Sequence, residues 1–124
     1  MWNNTNRKYG ERKATVLGKT YHSGLEAQDA LWLHQLEKDG DISELKEQVR
    51  YRIFHNDVHV VDSIVDFQFI YKGTLVWYET KGMLTDKYRV VKKLIEAELK
   101  DKEGELYIMN AKDLMEFMRG RLTK

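Results

Sequence analysis

Ser63-Ile64-Val65-Asp66-Phe67-Gln68-Phe69-Ile70-Tyr71, then Lys72-Gly73, then Thr74-Leu75-Val76-Trp77-Tyr78-Glu79-Thr80-Lys81: the reading of this stretch decides the fold. Both arms alternate as strands do, and the two residues between them suit a tight hairpin turn. A two-residue loop fixes the register, because paired positions then sum to 145. That register sets Asp66 opposite Glu79 and Ile64 opposite Lys81. Side chains alternate between the faces of a strand, so Asp66, Glu79 and Lys81 are expected on one face of the hairpin. Like charges directly opposite each other destabilise a sheet by up to roughly 1 kcal/mol. A divalent cation turns that repulsion into attraction. The pair therefore reads as half of a metal site with an ammonium group beside it.

Upstream, Gln48-Val49-Arg50-Tyr51-Arg52-Ile53-Phe54 also alternates and reads as a strand, with a turn at His55-Asn56-Asp57. Val58 to Asp62 either continues the strand or forms part of a loop, and Ile42 to Glu47 reads as a short turn or helical piece. Ser23-Gly24-Leu25-Glu26 has the capping-box pattern, with Glu26 three residues after the capping serine. Ala27, Ala30, Leu31, Leu33 (or His34) and Leu36 follow with helical spacing, and Gly40 suits the C-terminal cap. Further upstream, Ala14 to Tyr21 reads as a short strand around Thr15-Val16-Leu17, turned by Gly18.

Downstream of the hairpin, Gly82 to Asp86 is a loop, and a helix runs to about Lys100 with Tyr88, Val91, Leu94, Ile95 and Leu99 inward. Glu105 to Met109 is a last strand and Ala111 to about Gly120 a last helix. The order is helix, three strands, helix, strand, helix. It predicts one mixed α/β domain over residues 14–124, a small central sheet flanked by helices, preceded by a basic arm at residues 1–13.

At 124 residues and 42% hydrophobic, the chain can bury one real core. No apolar run approaches the roughly 20 residues of a membrane span, and the polar N-terminus predicts no signal peptide. The absence of cysteine excludes disulfides and zinc–thiolate sites and is compatible with a cytoplasmic location. A net charge of +1 excludes a globally basic nucleic-acid binder. Arg7, Lys8, Arg12, Lys13 and Lys19 nevertheless cluster, as do Lys87, Arg89, Lys92 and Lys93. Such clusters fit a protein that contacts phosphates and keeps carboxylates at its centre, and equally fit a solvated surface.

Other chemistries find less support. His55 and His59 are four apart but flank a turn rather than sharing a helix, and no glutamate stands beside His55 as a zinc-protease motif requires. There is no Gly-x-Ser-x-Gly elbow and no phosphate-binding glycine loop. Trp2, Tyr9 and Tyr21 can stack on splayed bases or simply pack on the domain.

An acidic residue followed about a dozen residues later by Glu-x-Lys at a strand end resembles the PD-(D/E)XK nuclease pattern, here Val65-Asp66 and Glu79-Thr80-Lys81. The resemblance widens through Tyr9-Gly10, Tyr21-His22-Ser23-Gly24-Leu25-Glu26-Ala27, Leu36-Glu37-Lys38-Asp39-Gly40-Asp41-Ile42, Gln48, Val65-Asp66-Phe67 and Glu79-Thr80-Lys81-Gly82, in order. Together these are similar to a family of small phage and prophage proteins of that superfamily, regarded as endonucleases or Holliday-junction resolvases. The similarity spans roughly residues 8 to 97, and Val65 stands where the superfamily often has proline.

The resemblance implies a restriction-endonuclease-like fold and a Mg²⁺- or Mn²⁺-dependent DNA endonuclease. Asp66 and Glu79 would be metal ligands, and the Thr80 carbonyl a third oxygen. Lys81 would orient or help deprotonate the attacking water, or stabilise developing charge. Glu26 has two readings: a capping-box residue, or the active-site glutamate that the family carries on its first helix. Gln48 would bond the water or a phosphate, Arg89 or Lys92 would touch the scissile phosphate, and Arg7, Lys8, Arg12 and Lys13 would contact DNA. The implied substrate is branched DNA such as a Holliday junction, and the implied assembly is a homodimer, since two symmetric nicks need two sites. The alternatives are a nuclease with little preference and a non-catalytic DNA-binding protein of the same fold.

Overall fold

In a computed structural model of the chain, which describes residues 14–21, 23–80, 86–100 and 102–120, two hairpin turns set the architecture. Lys72 and Gly73 both have positive φ, 46° and 82°, the signature of a type I′ turn whose twist matches its flanking strands. Asn56 and Asp57 repeat the pattern at 49° and 64°, on the two residue types that best tolerate that conformation after glycine. Three strands therefore fold back on one another. They are β3 (Ser43–His55), β4 (Val58–Tyr71) and β5 (Thr74–Tyr78).

Before them come β1 (Ala14–Val16) and β2 (Lys19–Tyr21), a small separate hairpin, and α1 (Gly24–Lys38). After them come α2 (Asp86–Leu99), β6 (Glu105–Ile108) and α3 (Ala111–Met118). The main sheet has the order β3-β4-β5-β6, antiparallel except for β5 and β6, which are parallel. The helix α2 makes the crossover between them. The protein is thus a mixed α/β domain, a small mixed sheet flanked by helices. No helix among the described residues is long and apolar enough to cross a membrane.

The β4–β5 register runs Phe67↔Tyr78, Gln68↔Trp77, Phe69↔Val76, Ile70↔Leu75 and Tyr71↔Thr74, as the two-residue loop requires. Val58 to Asp62 continues β4 as strand. The expectation of a turn or helical piece at Ile42 to Glu47 is corrected: β3 begins at Ser43. Pairing of Ser43, Lys46 and Glu47 with Ile70, Gln68 and Phe67 imposes strand on a segment without strand periodicity, across a register shift and a positive φ of 53° at Glu44. Leu31, expected inward, is 45% exposed; the buried stripe of α1 is Glu26, Ala27, Asp29, Ala30 and Leu33.

Each sheet face carries its own core. Ala27, Ala30 and Leu33 of α1 and Leu114 of α3 pack on Phe67, Phe69, Val76 and Tyr78. Val91, Ile95 and Leu99 of α2 pack on Tyr51, Ile53, Val65 and Trp77. Each fully buried Val, Leu, Ile or Phe among them contributes roughly 1.5–3 kcal/mol. The arm at residues 1–13, with Arg7, Lys8, Arg12 and Lys13, and also His22 and Lys81, lie outside the described residues.

Candidate functional site

The two cores meet along β4, and the site lies where they meet. Val65 and Phe67 are two apart and would share a face in a regular strand. Instead Val65 belongs to the α2 core and Phe67 to the α1 core. The β3–β4 pairing passes from Glu47↔Phe67 to Val49↔Val65 without a Gln48–Asp66 pair. Gln48 has a φ of 54°, left-handed backbone in mid-strand, which a glutamine adopts at a cost of about 1–2 kcal/mol. The alternation of side chains breaks at this row, and Val65, Asp66 and Phe67 are all buried.

Asp66, 8% exposed, turns its carboxylate towards the start of α1 and the end of β5. Its Oδ2 accepts from the backbone N–H of Thr80 at 3.0 Å and from the Thr80 hydroxyl at 3.3 Å. Glu26, 5% exposed, lies in the first turn of α1, where Ser23 caps the helix by accepting the Glu26 N–H at 3.1 Å. Gln48 joins the two acids. Its Nε2 donates to Glu26 Oε2 at 2.7 Å and reaches Asp66 Oδ1 at 3.4 Å. Gln48 itself is exposed, so two buried carboxylates are gathered under one solvent-facing amide.

Asp29 adds a third buried acid one turn along α1, and its carboxylate accepts from the Tyr78 hydroxyl at 2.9 Å. Burial raises the Asp29 pKa above the ordinary carboxylate value; the Tyr78 bond opposes this and the charge of Asp66 adds to it. Burial and the neighbouring Asp29 likewise push the Tyr78 phenol upward. Sequence reasoning missed Asp29. The available signal was an acid on the inward stripe of α1, three residues after Glu26 and among Ala27, Ala30 and Leu33.

Glu79 is fully buried and bonds two tyrosines. Its Oε2 accepts from Tyr107 of β6 at 3.1 Å and from Tyr88 in the first turn of α2, and the two phenols also bond each other. Tyr107 packs against the α2 core, which places this end of Glu79 on the α2 side. Burial and the Glu79 carboxylate push both phenols upward, so they remain donors. The expected pairing of Asp66 with Glu79 is not formed, because the β4–β5 ladder ends at Phe67↔Tyr78 and Glu79 lies just past β5; Asp66 bonds Gln48 and Thr80, and Glu79 bonds the two tyrosines. Nothing in the spacing pointed to Tyr88 and Tyr107.

On α2, Arg89 is exposed and Lys92 half-buried. Arg89 lies 3.9 Å from Asp86 and Lys92 lies 3.6 Å from Glu96. His55 is exposed at a hairpin end, His59 bonds Asp62 at 2.6 Å, and His34 bonds Glu47 at 2.6 Å, so these three do not gather. Glu26 and Asp66 supply the hard oxygen donors that Mg²⁺ and Mn²⁺ take, and two buried acids under one amide suit a cation in kind. Among the described residues, no three histidine or acidic side chains converge in a geometry ready to hold a metal ion.

A family model described as "Protein of unknown function (DUF1064)" matches residues 6–115. No curated protein and no solved structure matches the chain.

Proposed function

The chain belongs to the DUF1064 family of proteins of unknown function, and we propose that it is a metal-dependent DNA endonuclease of the PD-(D/E)XK type. The favoured form is a cytoplasmic homodimer that cuts branched DNA such as Holliday junctions. One observation carries the reading: the Gln48 amide spans buried Glu26 and Asp66 in a strained conformation at a break between two cores. Strain of this kind persists only where surrounding structure enforces it, and it concentrates at functional sites. The element order, with Asp66 in the second strand of the main sheet and Glu79 just past the third, supports the same assignment.

Mg²⁺ or Mn²⁺ would supply charge neutralisation at the phosphate and a more acidic water. Asp66 and Glu26 would hold it, joined by Glu79 and the Thr80 carbonyl on the strength of the resemblance. The Thr80 N–H and hydroxyl fix Asp66 through one oxygen. Gln48 keeps the two acids together and, being exposed, can hand its donor to a water or a phosphate oxygen. Lys81, two residues after Glu79, would orient the attacking water and offset charge on the departing oxygen.

A non-catalytic DNA-binding protein is the competing reading, favoured by the engagement of Glu79 with Tyr88 and Tyr107. The deciding experiment offers plasmid, single-stranded DNA, linear duplex and a synthetic four-way junction, each with Mg²⁺, Mn²⁺ or EDTA. Metal-dependent cleavage strongest on the junction is expected. No cleavage with either metal refutes the enzyme, and equal cleavage of all four refutes junction preference.

A further inference from the structure

Asp29 and Tyr78 form a buried pair that no step of the proposed chemistry uses. The Tyr78 hydroxyl donates to Asp29 Oδ2 at 2.9 Å, joining β5 to α1. Tyr78 is fully buried and Asp29 nearly so. Taking a carboxylate and a phenol out of water costs more than burying two apolar side chains in the same space. Phenylalanine against an apolar residue would hold the helix on the sheet without that cost. What the polar pair adds is direction, since a hydrogen bond constrains both distance and angle.

The first half of α1 has need of such a constraint. Leu33, with Trp32 and Leu36 packed beside it, keys the second half of the helix into the core. The first half offers the methyl groups of Ala27 and Ala30, which project little into the sheet. Yet this is the half that carries Glu26. Asp29 follows Glu26 by three residues, about 4.5 Å along the axis and on the same face. At the other end of the bond, Tyr78 precedes Thr80 by two residues, and the Thr80 N–H and hydroxyl hold Asp66 Oδ2 at 3.0 and 3.3 Å. Tyr78 also pairs with Phe67, the neighbour of Asp66, with ring centres 6.1 Å apart. The contacts close a ring. Gln48 ties Glu26 to Asp66 from the solvent side, and Asp29 with Tyr78 ties the same two segments from within the core.

We propose that Asp29 and Tyr78 are positioning residues for the candidate metal site: their bond sets where the first half of α1 lies on β5, and so the gap between Glu26 and Asp66 that a divalent cation would enter. This rests on the nuclease reading through the cation that reading requires. Titration of the full chain with Mn²⁺, followed by the paramagnetic resonance of the free ion, reads affinity without cleavage. Tyr78→Phe loses the donor and little volume, and should raise the Mn²⁺ dissociation constant at least about tenfold, as loss of an outer partner of a metal ligand does. Asp29→Ala should do the same. The double variant should bind no more weakly than the weaker single, since both act through one bond. Ile95→Val, in the core on the other sheet face, also costs stability but should leave the affinity unchanged. Melting curves show that each variant is folded and how much stability it has lost. An unchanged constant in Tyr78→Phe, additive losses in the double variant, or equal weakening by Ile95→Val overturns the proposal and leaves the nuclease reading standing. A wild type that binds no Mn²⁺ overturns both.

Discussion

Gln48 donates from Nε2 to Glu26 Oε2 at 2.7 Å, tying the edge strand β3 to the first turn of α1. The same nitrogen reaches Asp66 on β4, so one amide links three elements at the row where side-chain alternation breaks. The backbone of Gln48 is left-handed and its side chain is committed to two acids. These two facts can be separated by substitution.

Gln48→Ala removes a hydrogen bond to a charged group, at a cost of about 1.5–3 kcal/mol, and keeps the strained backbone. Gln48→Gly loses the same bond but relieves the positive φ, so it should be more stable than the alanine variant by about 1 kcal/mol. Urea denaturation midpoints check this. Equal stabilities would show that the left-handed conformation carries no strain.

Asp29 makes folding depend on pH. Burial chiefly, then the charge of Asp66, raises its folded pKa above the ordinary 3.8, against the Tyr78 bond. The stability it contributes is fully present below the unfolded value and is lost as pH rises through the folded one. Asp29→Asn should therefore gain on the wild type as pH increases from below 3.8 towards neutrality. Melting temperatures of the two proteins across that range test it, and a pH-independent difference rules it out.

Tyr88 and Tyr107 both bond Glu79 Oε2 and each other. Tyr88→Phe and Tyr107→Phe should each cost about 1.5–3 kcal/mol, because each removes a donor to a charged acceptor. The double variant should cost less than the two losses added together, since the three groups form one network. A coupling energy of zero in the denaturation cycle would refute the network.

Within the nuclease reading, Asp66→Asn should lower metal-dependent cleavage by at least about a hundredfold, the effect of losing a few kcal/mol of transition-state stabilisation. Lys81→Ala should do the same. DNA affinity, followed by fluorescence anisotropy, should remain within a few-fold in both. Retained cleavage in either variant would falsify the assignment of that residue.

The sequence alone determined what local chemistry controls. Lys72-Gly73 allowed only a two-residue turn, and the pairing of Phe67 with Tyr78 followed from it. Ser23 and Glu26 marked the start of α1, because a cap acts within four residues. Element order from α1 onward was readable for the same reason, apart from the start of β3, where pairing with β4 outweighs a segment with no strand period of its own; the single short strand read before α1 is instead the β1–β2 hairpin. Glu26, Gln48 and Asp66 were named as candidates from sequence, and the fold brings those three within hydrogen-bonding reach.

Tertiary structure alone decided the surroundings of the acids. The strand rule puts Asp66 and Glu79 on one face, but it holds only while alternation is unbroken. The left-handed Gln48 interrupts it, sending Val65 and Phe67 to different cores. Asp29 meets Tyr78, and Glu79 meets Tyr88 and Tyr107, across separations of 49, 9 and 28 residues. No period of 2 or 3.6 encodes which strand a helix covers or which distant strand becomes a parallel neighbour, as β6 does for β5. Such contacts arise only when both sheet faces are packed, and that packing fixes which oxygens of each acid are engaged.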